Sequence, residues 1–567
     1  MSTITRLRVG NEDFLVAAMI ERCPKSMMIR ELLQNALEAA QSAPDGERRV
    51  EFSALTIDGA RKLALWNAGR GLTAAELYRM CDIAASINKV NGLDANFGMG
   101  AKVASLPSNQ HGMRYRSCRD GVVHEVVLGK RGGTYGRLHQ PGPDGRLTEI
   151  VEVTAQARAE GRDTGSDWTE VVLLGNRAEQ DTVADPFDGH PRSPANWLIE
   201  TIGGRYFRFL PGGAVMLQPG IHPVTARYAL RSLERRLSAL PHYERVALPD
   251  GVAIHYAYDA PNPDKPGTNL SQSSGLENAE GMAGIVFRDE IYAAMRGAQW
   301  RREAPSFGVP VGARHVSILV ELPRDHPVQA EGYREFLRYR GGAQVQVRLA
   351  DFAPLIAEHQ PGWLKEILAG SSPSAALVAE AQQEMGELLR NLGVTRRRPP
   401  RPRTEDMPPP APPVAPPAPR PVVIETAPAL FLLREAAEVA DAGLTFRAAC
   451  YYPESHQLHI NLTYPAVAVM AAMLTGVQDG GQDSEDVAPA VQAAATEIAE
   501  RSMVMRVARA LVHGLAKRGR PREWNDSQLR VLLSSESLTL AADDVHAGLA
   551  EAQENFRQSV LATALVE

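Results

Sequence analysis

The chain has 567 residues, of which 44% are hydrophobic and 23% charged, and a formal net charge of −6. This is the composition of a globular protein with several domains, and it excludes a global basic field that would draw the whole molecule onto nucleic acid. The four cysteines (Cys23, Cys81, Cys118, Cys450) form no CxxC pair, the opening MSTITRLRVGNEDF lacks the apolar run of a signal peptide, and no apolar stretch is long enough to span a bilayer. A reduced, cytoplasmic protein with no membrane association is therefore expected.

Ser26 to Gln41 (SMMIRELLQNALEAAQ) is expected to form a helix, with Ser26 as its N-cap and Pro44, Asp45 and Gly46 breaking the chain beyond its end. Leu33, Leu37 and Ala40 recur at helical spacing and can face a core. Glu31 and Asn35 are four residues apart and project from one side. A carboxylate there can take a proton from water, and the amide oxygen can ligate Mg²⁺. VEFSALTI and RKLALW flank Asp58-Gly59 and predict a strand pair over residues 50–66. In Asn67-Ala68-Gly69-Arg70-Gly71-Leu72, two glycines one residue apart allow a tight backbone path close to a ligand. Thr73 can cap a helix over TAAELYRMCDIAA, and the polar run from Ser86 to Asn96 reads as a loop. Asn96-Phe97-Gly98-Met99-Gly100-Ala101-Lys102 is a glycine turn opening into a helix. Such a junction presents backbone N–H groups and a positive dipole end, which suit phosphate.

Further on, Asn196 to Leu217 predicts a helix, a basic aromatic turn and a strand. Ion-pair and stacking roles are expected for Arg205, Arg208 and Arg227. Val252 to Tyr258 reads as a strand, Pro261 to Glu280 as a polar loop, Gly284 to Tyr292 as a hairpin and His315 to Leu322 as a buried strand. Helices are expected from Gly332, over a loop-helix YREFLRYRGG that carries Arg334, Arg338 and Arg340, and from Trp363. Thr395 to Pro421 opens with five arginines (Arg396, Arg397, Arg398, Arg401, Arg403) and becomes so rich in proline that neither helix nor central strand can continue, so a linker is expected. After Val422, strands over Phe446–Tyr451 and Gln457–Leu462 and helical patterns over Val487–Lys517 and Ser537–Ala564 predict a separate domain. Trp524 precedes a helix cap at Asn525 or Asp526. His456 and His459 lack the further ligands a metal would need.

The order of three motifs, ExxxN on a helix, NxGxG after a strand and FGxGxK at a helix start, resembles the GHKL ATPases: gyrase B subunits, ninety-kilodalton heat-shock chaperones, histidine kinases, MutL and MORC proteins. Arg30 to Ala39 is similar to that family's first motif, Trp66 to Leu72 to its second, and Phe97 to Gly100 to its third. Asp167 to Leu173 is similar to the late strand whose threonine serves the adenine-side hydrogen bonds. The resemblance implies Glu31 as general base and Asn35 as Mg²⁺ ligand. Gly69 and Gly71 would lie along the base, and Gly98, Gly100, Ala101 and Lys102, beside Phe97 and Met99, would cradle phosphates. Thr169 would help hold the base. Two positions depart from the family pattern: Asn67 stands where an Asp reads the adenine amino group, and Glu38 where an Asp is usual.

The implied fold is mixed α/β (α+β). Residues 1–220 would form a two-layer GHKL sandwich with a mixed sheet, and residues 221–394 a transducer-like α/β domain. A linker over 395–421 and a mainly helical domain over 422–567 would follow. The implied function is Mg-ATP hydrolysis in a homodimeric clamp, acting on DNA as MutL and MORC proteins do. A chaperone-like ATPase with a protein client, a nucleotide sensor without turnover and a histidine kinase are the alternatives.

Overall fold

The structure, a computed structural model, describes residues 10–83, 100–142, 145–265, 267–274, 276, 280–331, 334–340, 345–370, 375–395, 425–476, 489–518 and 523–564. It is a mixed α/β protein built around three main hydrophobic cores. Among the described residues no helix is long and apolar enough to cross a membrane.

The first core contains α1 (Glu12–Glu21), α2 (Met27–Ala40), β1 (Arg49–Ile57), β2 (Ala60–Ala68), α3 (Ala74–Met80), α4 (Gly100–Ser105), β3 (Gly112–Arg119), β4 (Val122–Arg131) and β5 (Thr134–Arg137). After the short strands β6 (Gln140–Pro141), β7 (Leu147–Thr148) and β8 (Val151–Glu152) come α5 (Thr154–Ala159), β9 (Trp168–Gly175), α6 (Trp197–Arg205), β10 (Ala214–Leu217) and β11 (Tyr228–Leu230). Helix α2 buries Leu33, Leu37 and Ala40 as their spacing requires. Ser26 stands at its N-cap position but makes no side-chain capping bond, because its own backbone is already helical. The turn before it is closed instead by Met27 and Met28, whose N–H groups donate to Pro24 and Lys25 carbonyls at 3.0 and 3.1 Å. Asp58 and Gly59 both take positive φ, which matches the right-handed twist of β1 and β2 and puts Ile57 opposite Ala60.

Among the described residues, nine strands form one mixed sheet, ordered β11-β10-β1-β2-β9-β3-β4-β5 with β8 beside β4. Only the β1–β10 pairing is parallel among its pairings. Strand alternation puts Leu63, Leu65, Met113, Tyr115, Val126, Leu128, Val171 and Leu173 on one face. There they share a core with Leu33 and Leu37 of α2, Val103 of α4 and Ile199 of α6.

The second unit contains α7 (Leu233–Leu237), β12 (His242–Ala247), β13 (Ala253–Tyr258), β14 (Met282–Phe287), β15 (Glu290–Arg296), α8 (Gly297–Glu303), β16 (Val316–Glu321), β17 (Val328–Ala330), β18 (Leu337–Tyr339), α9 (Ala353–Glu358) and α10 (Gly362–Gly370). Its sheet runs β12-β13-β16-β14-β15. The helix expected from Gly332 is corrected. Gly332 and Tyr333 lie outside the described residues, and Leu337 to Tyr339 form a strand paired with β17 that buries only Leu337. A smaller cluster, with Phe207, Leu233 and Leu237 against Val286, Ile291 and Leu319, joins the first two units.

The third unit contains α11 (Ala375–Asn391), β19 (Ala429–Leu433), α12 (Ala436–Asp441), β20 (Ala449–Tyr452), β21 (Gln457–Asn461), α13 (Pro465–Thr475), α14 (Pro489–Lys517), α15 (Asp526–Leu532), α16 (Ser535–Asp543) and α17 (Leu549–Ala564). Helix α11 precedes the proline-rich stretch, yet its Ala381, Met385 and Leu389 are buried in this core, against α14 and β19. Glu425 N–H donates to the Val394 carbonyl at 2.8 Å. Residues 375–395 therefore pack with the C-terminal domain. The helical pattern expected over Ser537–Ala564 is broken at Asp544, whose side chain accepts from Ala547 N–H and starts a new turn.

Candidate functional site

The end of the first sheet nearest the NxGxG segment carries a row of polar side chains on the core face. Asn67 of β2 pairs in register with Thr169 of β9, which pairs with Ser117 of β3. Thr169 Oγ1 and Ser117 Oγ are 2.8 Å apart. Ser117 also donates to the Trp168 carbonyl at 3.1 Å and accepts from Leu72 N–H at 2.7 Å, which pins the loop after β2 to β3. Asn67 is buried, and its Nδ2 donates to the Ala68 carbonyl at 3.0 Å, leaving Oδ1 as the acceptor.

The two glycines of that loop have a packing reason. A Cβ at Gly69, where φ is +115°, would overlap the Ala39 carbonyl at the C-terminal end of α2. A Cβ at Gly71 would overlap the Cys118 carbonyl of β3. Arg70 N–H donates to Ser42 Oγ at 2.6 Å, so the loop is clasped between α2 and β3. These glycines were expected to let the chain pass close to a base; along the Cβ direction of each lies the protein's own backbone.

Two turns earlier on α2, the chemistry changes. Asn35 is exposed, and Glu38 accepts from Gln34 Nε2 at 2.8 Å. Glu31 is largely buried, and its Oε1 accepts from Nη1 of the fully buried Arg30. Oε2 faces Gly100 at the start of α4, where any Cβ would overlap it. Arg30 turns its other edge to Glu290 of β15: Nε donates to Oε2 at 2.9 Å and Nη2 to Oε1. Arg205 donates to the same carboxylate at 2.8 Å, and Arg334 lies 3.9 Å away. Burial works to raise the Glu290 carboxyl, but the Arg205 and Arg30 guanidiniums outweigh it and bring it down to about 2. Burial, with Glu31 and Glu335 nearby, pushes the Cys23 thiol up to about 12.

Phe97, Gly98 and Met99 lie outside the described residues. Ala101 is buried in the first core. Lys102, expected to help cradle phosphate, has a buried side chain whose ammonium donates to the Met80 carbonyl at the end of α3. Burial lowers it to about 8, against the pull of Cys81 and Asp82. The lysine of FGxGxK therefore points inward, because α4 is short and packs under α2. The arginines whose expected roles were ion pairs do form them: Arg205 with Glu290, Arg208 with Glu234 and Asp289, Arg227 with Glu51.

Sequence reading missed Ser117, Arg30 and Glu290. For Ser117 the signal was present: in MRYRSC it follows Met113 and Tyr115 at the period of two that marks the core face. Arg30 adjoins Glu31, but nothing local marks it as buried. Glu290 is 260 residues from Arg30, so no short-range pattern could find it. No family model matches the chain, and no curated protein matches it.

Proposed function

We propose that the chain is an Mg-ATP-binding ATPase of the GHKL type, with Glu31 as the general base. The observation that carries this reading is the geometry along α2. One of its ends presents a carboxylate whose Oε1 is held by Arg30 and whose Oε2 faces the glycine that opens α4. Its other end abuts, through Ala39 and Ser42, the Gly69–Arg70 loop that follows Asn67 and is pinned by Leu72 to Ser117 of the Asn67–Thr169–Ser117 row. Glu31 and Ala39 are eight residues apart, roughly 12 Å along the axis, which separates a phosphate end from a base end. In this reading Asn67 Oδ1 accepts from an exocyclic amino group, with Thr169 and Ser117 completing the hydrogen bonds around the base. Glu31 then takes the proton of the attacking water at Oε2.

The residues fit a magnesium ion bound with phosphate. Mg²⁺ in such sites needs only one or two protein oxygens, and Asn35 offers an exposed amide oxygen one turn from Glu31. Bound there, the ion would neutralise phosphate charge. The GHKL resemblance further implies that the loop over residues 87–96 closes over the phosphates, and that loop lies outside the described residues. Within this reading nucleotide binding would close a homodimeric clamp over DNA or a protein client. The arginine cluster that favours DNA, Arg396 to Arg403, also lies outside them.

The test is phosphate release by Glu31→Ala. Turnover is expected to fall by about 100-fold or more while Mg-ATP binding persists, as removal of a general base requires. Turnover equal to the parent's would overturn the assignment.

A further inference from the structure

The second unit reaches the Glu31 end of α2 through one hairpin. The turn between β14 and β15, Arg288-Asp289, has positive φ at both residues. The Asp289 carbonyl accepts from Phe207 and Arg208 N–H at 2.9 and 3.2 Å, and Glu290 forms an antiparallel bridge with Tyr206. Tyr206 in turn donates from its hydroxyl to the Arg30 carbonyl at 2.9 Å. The hairpin tip is thus clamped to the chain after α6, and it delivers the Glu290 carboxylate to Arg30.

A guanidinium is planar, and its donors leave in fixed directions. With Nε and Nη2 both committed to Glu290, Arg30 has a single orientation, in which Nη1 alone meets Glu31. One oxygen of Glu31 is then held and the other is left facing Gly100. If Glu290 were withdrawn, the same edge of Arg30 would be free to turn onto Glu31 and take both oxygens in a bidentate pair. A buried Arg–Glu pair is a weak source of stability, since apolar residues of similar volume often do as well. What this pair supplies is direction.

We propose that Glu290 is a positioning residue for hydrolysis: by holding two donors of Arg30 it keeps one Glu31 oxygen available, so that turnover depends on docking of the β14–β15 hairpin against the first unit. This rests on the ATPase reading above. In that setting, any movement of the second unit that draws the hairpin from Tyr206 hands Arg30 to Glu31 and silences the base without touching the nucleotide.

The experiment compares the full-length parent with Glu290→Gln and with Glu290→Gln combined with Arg30→Met. Steady-state phosphate release, Mg-ATP binding and thermal unfolding are followed for each. For Glu290→Gln, kcat is expected to fall by on the order of 10- to 100-fold with KM changed less than ~2-fold, approaching the loss of the base itself. Removing Arg30 as well is expected to raise kcat several-fold above that of Glu290→Gln and of Glu31→Ala, though below the parent's because Oε1 of Glu31 is then no longer held. Parental kcat in Glu290→Gln overturns the proposal and leaves the ATPase reading standing. So does a double variant that unfolds at the parent's temperature but hydrolyses no faster than Glu31→Ala, a comparison that holds even where Glu290→Gln alone does not fold. A parent that binds no nucleotide and releases no phosphate overturns both.

Discussion

The two ends of α2 are built on different principles. At the C-terminal end the neighbours are backbone: Gly69 against the Ala39 carbonyl, Gly71 against the Cys118 carbonyl, Arg70 N–H on Ser42. Close packing alone demands those glycines. At the Glu31 end the neighbours are charges drawn from two units, with Arg30 and Glu290 buried and Arg205 half-buried against them. Burying ions costs several kcal/mol each before pairing returns it, so this end is not what stability alone would select. The contrast separates residues explained by fold from residues that ask for a function.

The sharpest way to break that contrast is Gly71→Ala. A methyl there meets the backbone of β3, which cannot swing aside as a flexible side chain would. A loss of roughly 3–4 kcal/mol is expected, at the upper end of overpacking, read as a shift of the urea midpoint of the first unit. A loss below ~1 kcal/mol would show that the loop separates easily from β3 and that packing does not dictate the glycine.

Lys102 supplies a second test. Burial holds its ammonium at about 8 in the folded chain, below the ordinary lysine value of about 10.4. Between these values the unfolded chain binds a proton that the folded chain has lost, so stability rises with pH through this window and falls as pH drops back through it. The contribution is about 2 kcal/mol between pH 8 and pH 10. In Lys102→Met this slope disappears, so the difference in unfolding free energy between variant and parent narrows by that amount as pH rises. An unchanged difference across the window would mean that Lys102 reaches solvent, as a phosphate ligand would.

How much of this was legible in the sequence follows the range of the interactions. The α2 pattern, the Asp58-Gly59 turn and the capping of α3 by Thr73 are local, and they stand in the structure as written in the chain. Ser26 misled because a capping hydroxyl is useful only where the preceding backbone is extended, and here Pro24 and Lys25 already close a turn. The burial of Lys102 was not legible, because a motif fixes its position on the helix but not which way the helix faces. Helix α11 misled because proline marks a break in secondary structure, while domain membership is decided by packing across that break. The Arg30–Glu290 pairing had no local signature at all.

The smallest effect sharpens the comparison at its loop end. Thr73 and Glu76 form a reciprocal cap: Glu76 N–H donates to Thr73 Oγ1 at 3.3 Å and Thr73 N–H to Glu76 Oε2 at 3.0 Å. Thr73→Ala removes the first bond and keeps the second, and Arg70 still holds Glu76 at 2.6 Å. The cost is therefore ~1 kcal/mol, the ordinary worth of an N-cap. Because α3 is tied to the rest of the first unit through Leu77 and the Met80 carbonyl, the loss is local opening. Hydrogen exchange of the α3 amides is expected to quicken about 5-fold, the factor that 1 kcal/mol sets, while the α2 amides around Glu31 keep their rates. Faster exchange at both places would mean that α3 and the Glu31 end of α2 open as one unit, and the distinction between the loop side and the charged end would lose its energetic meaning.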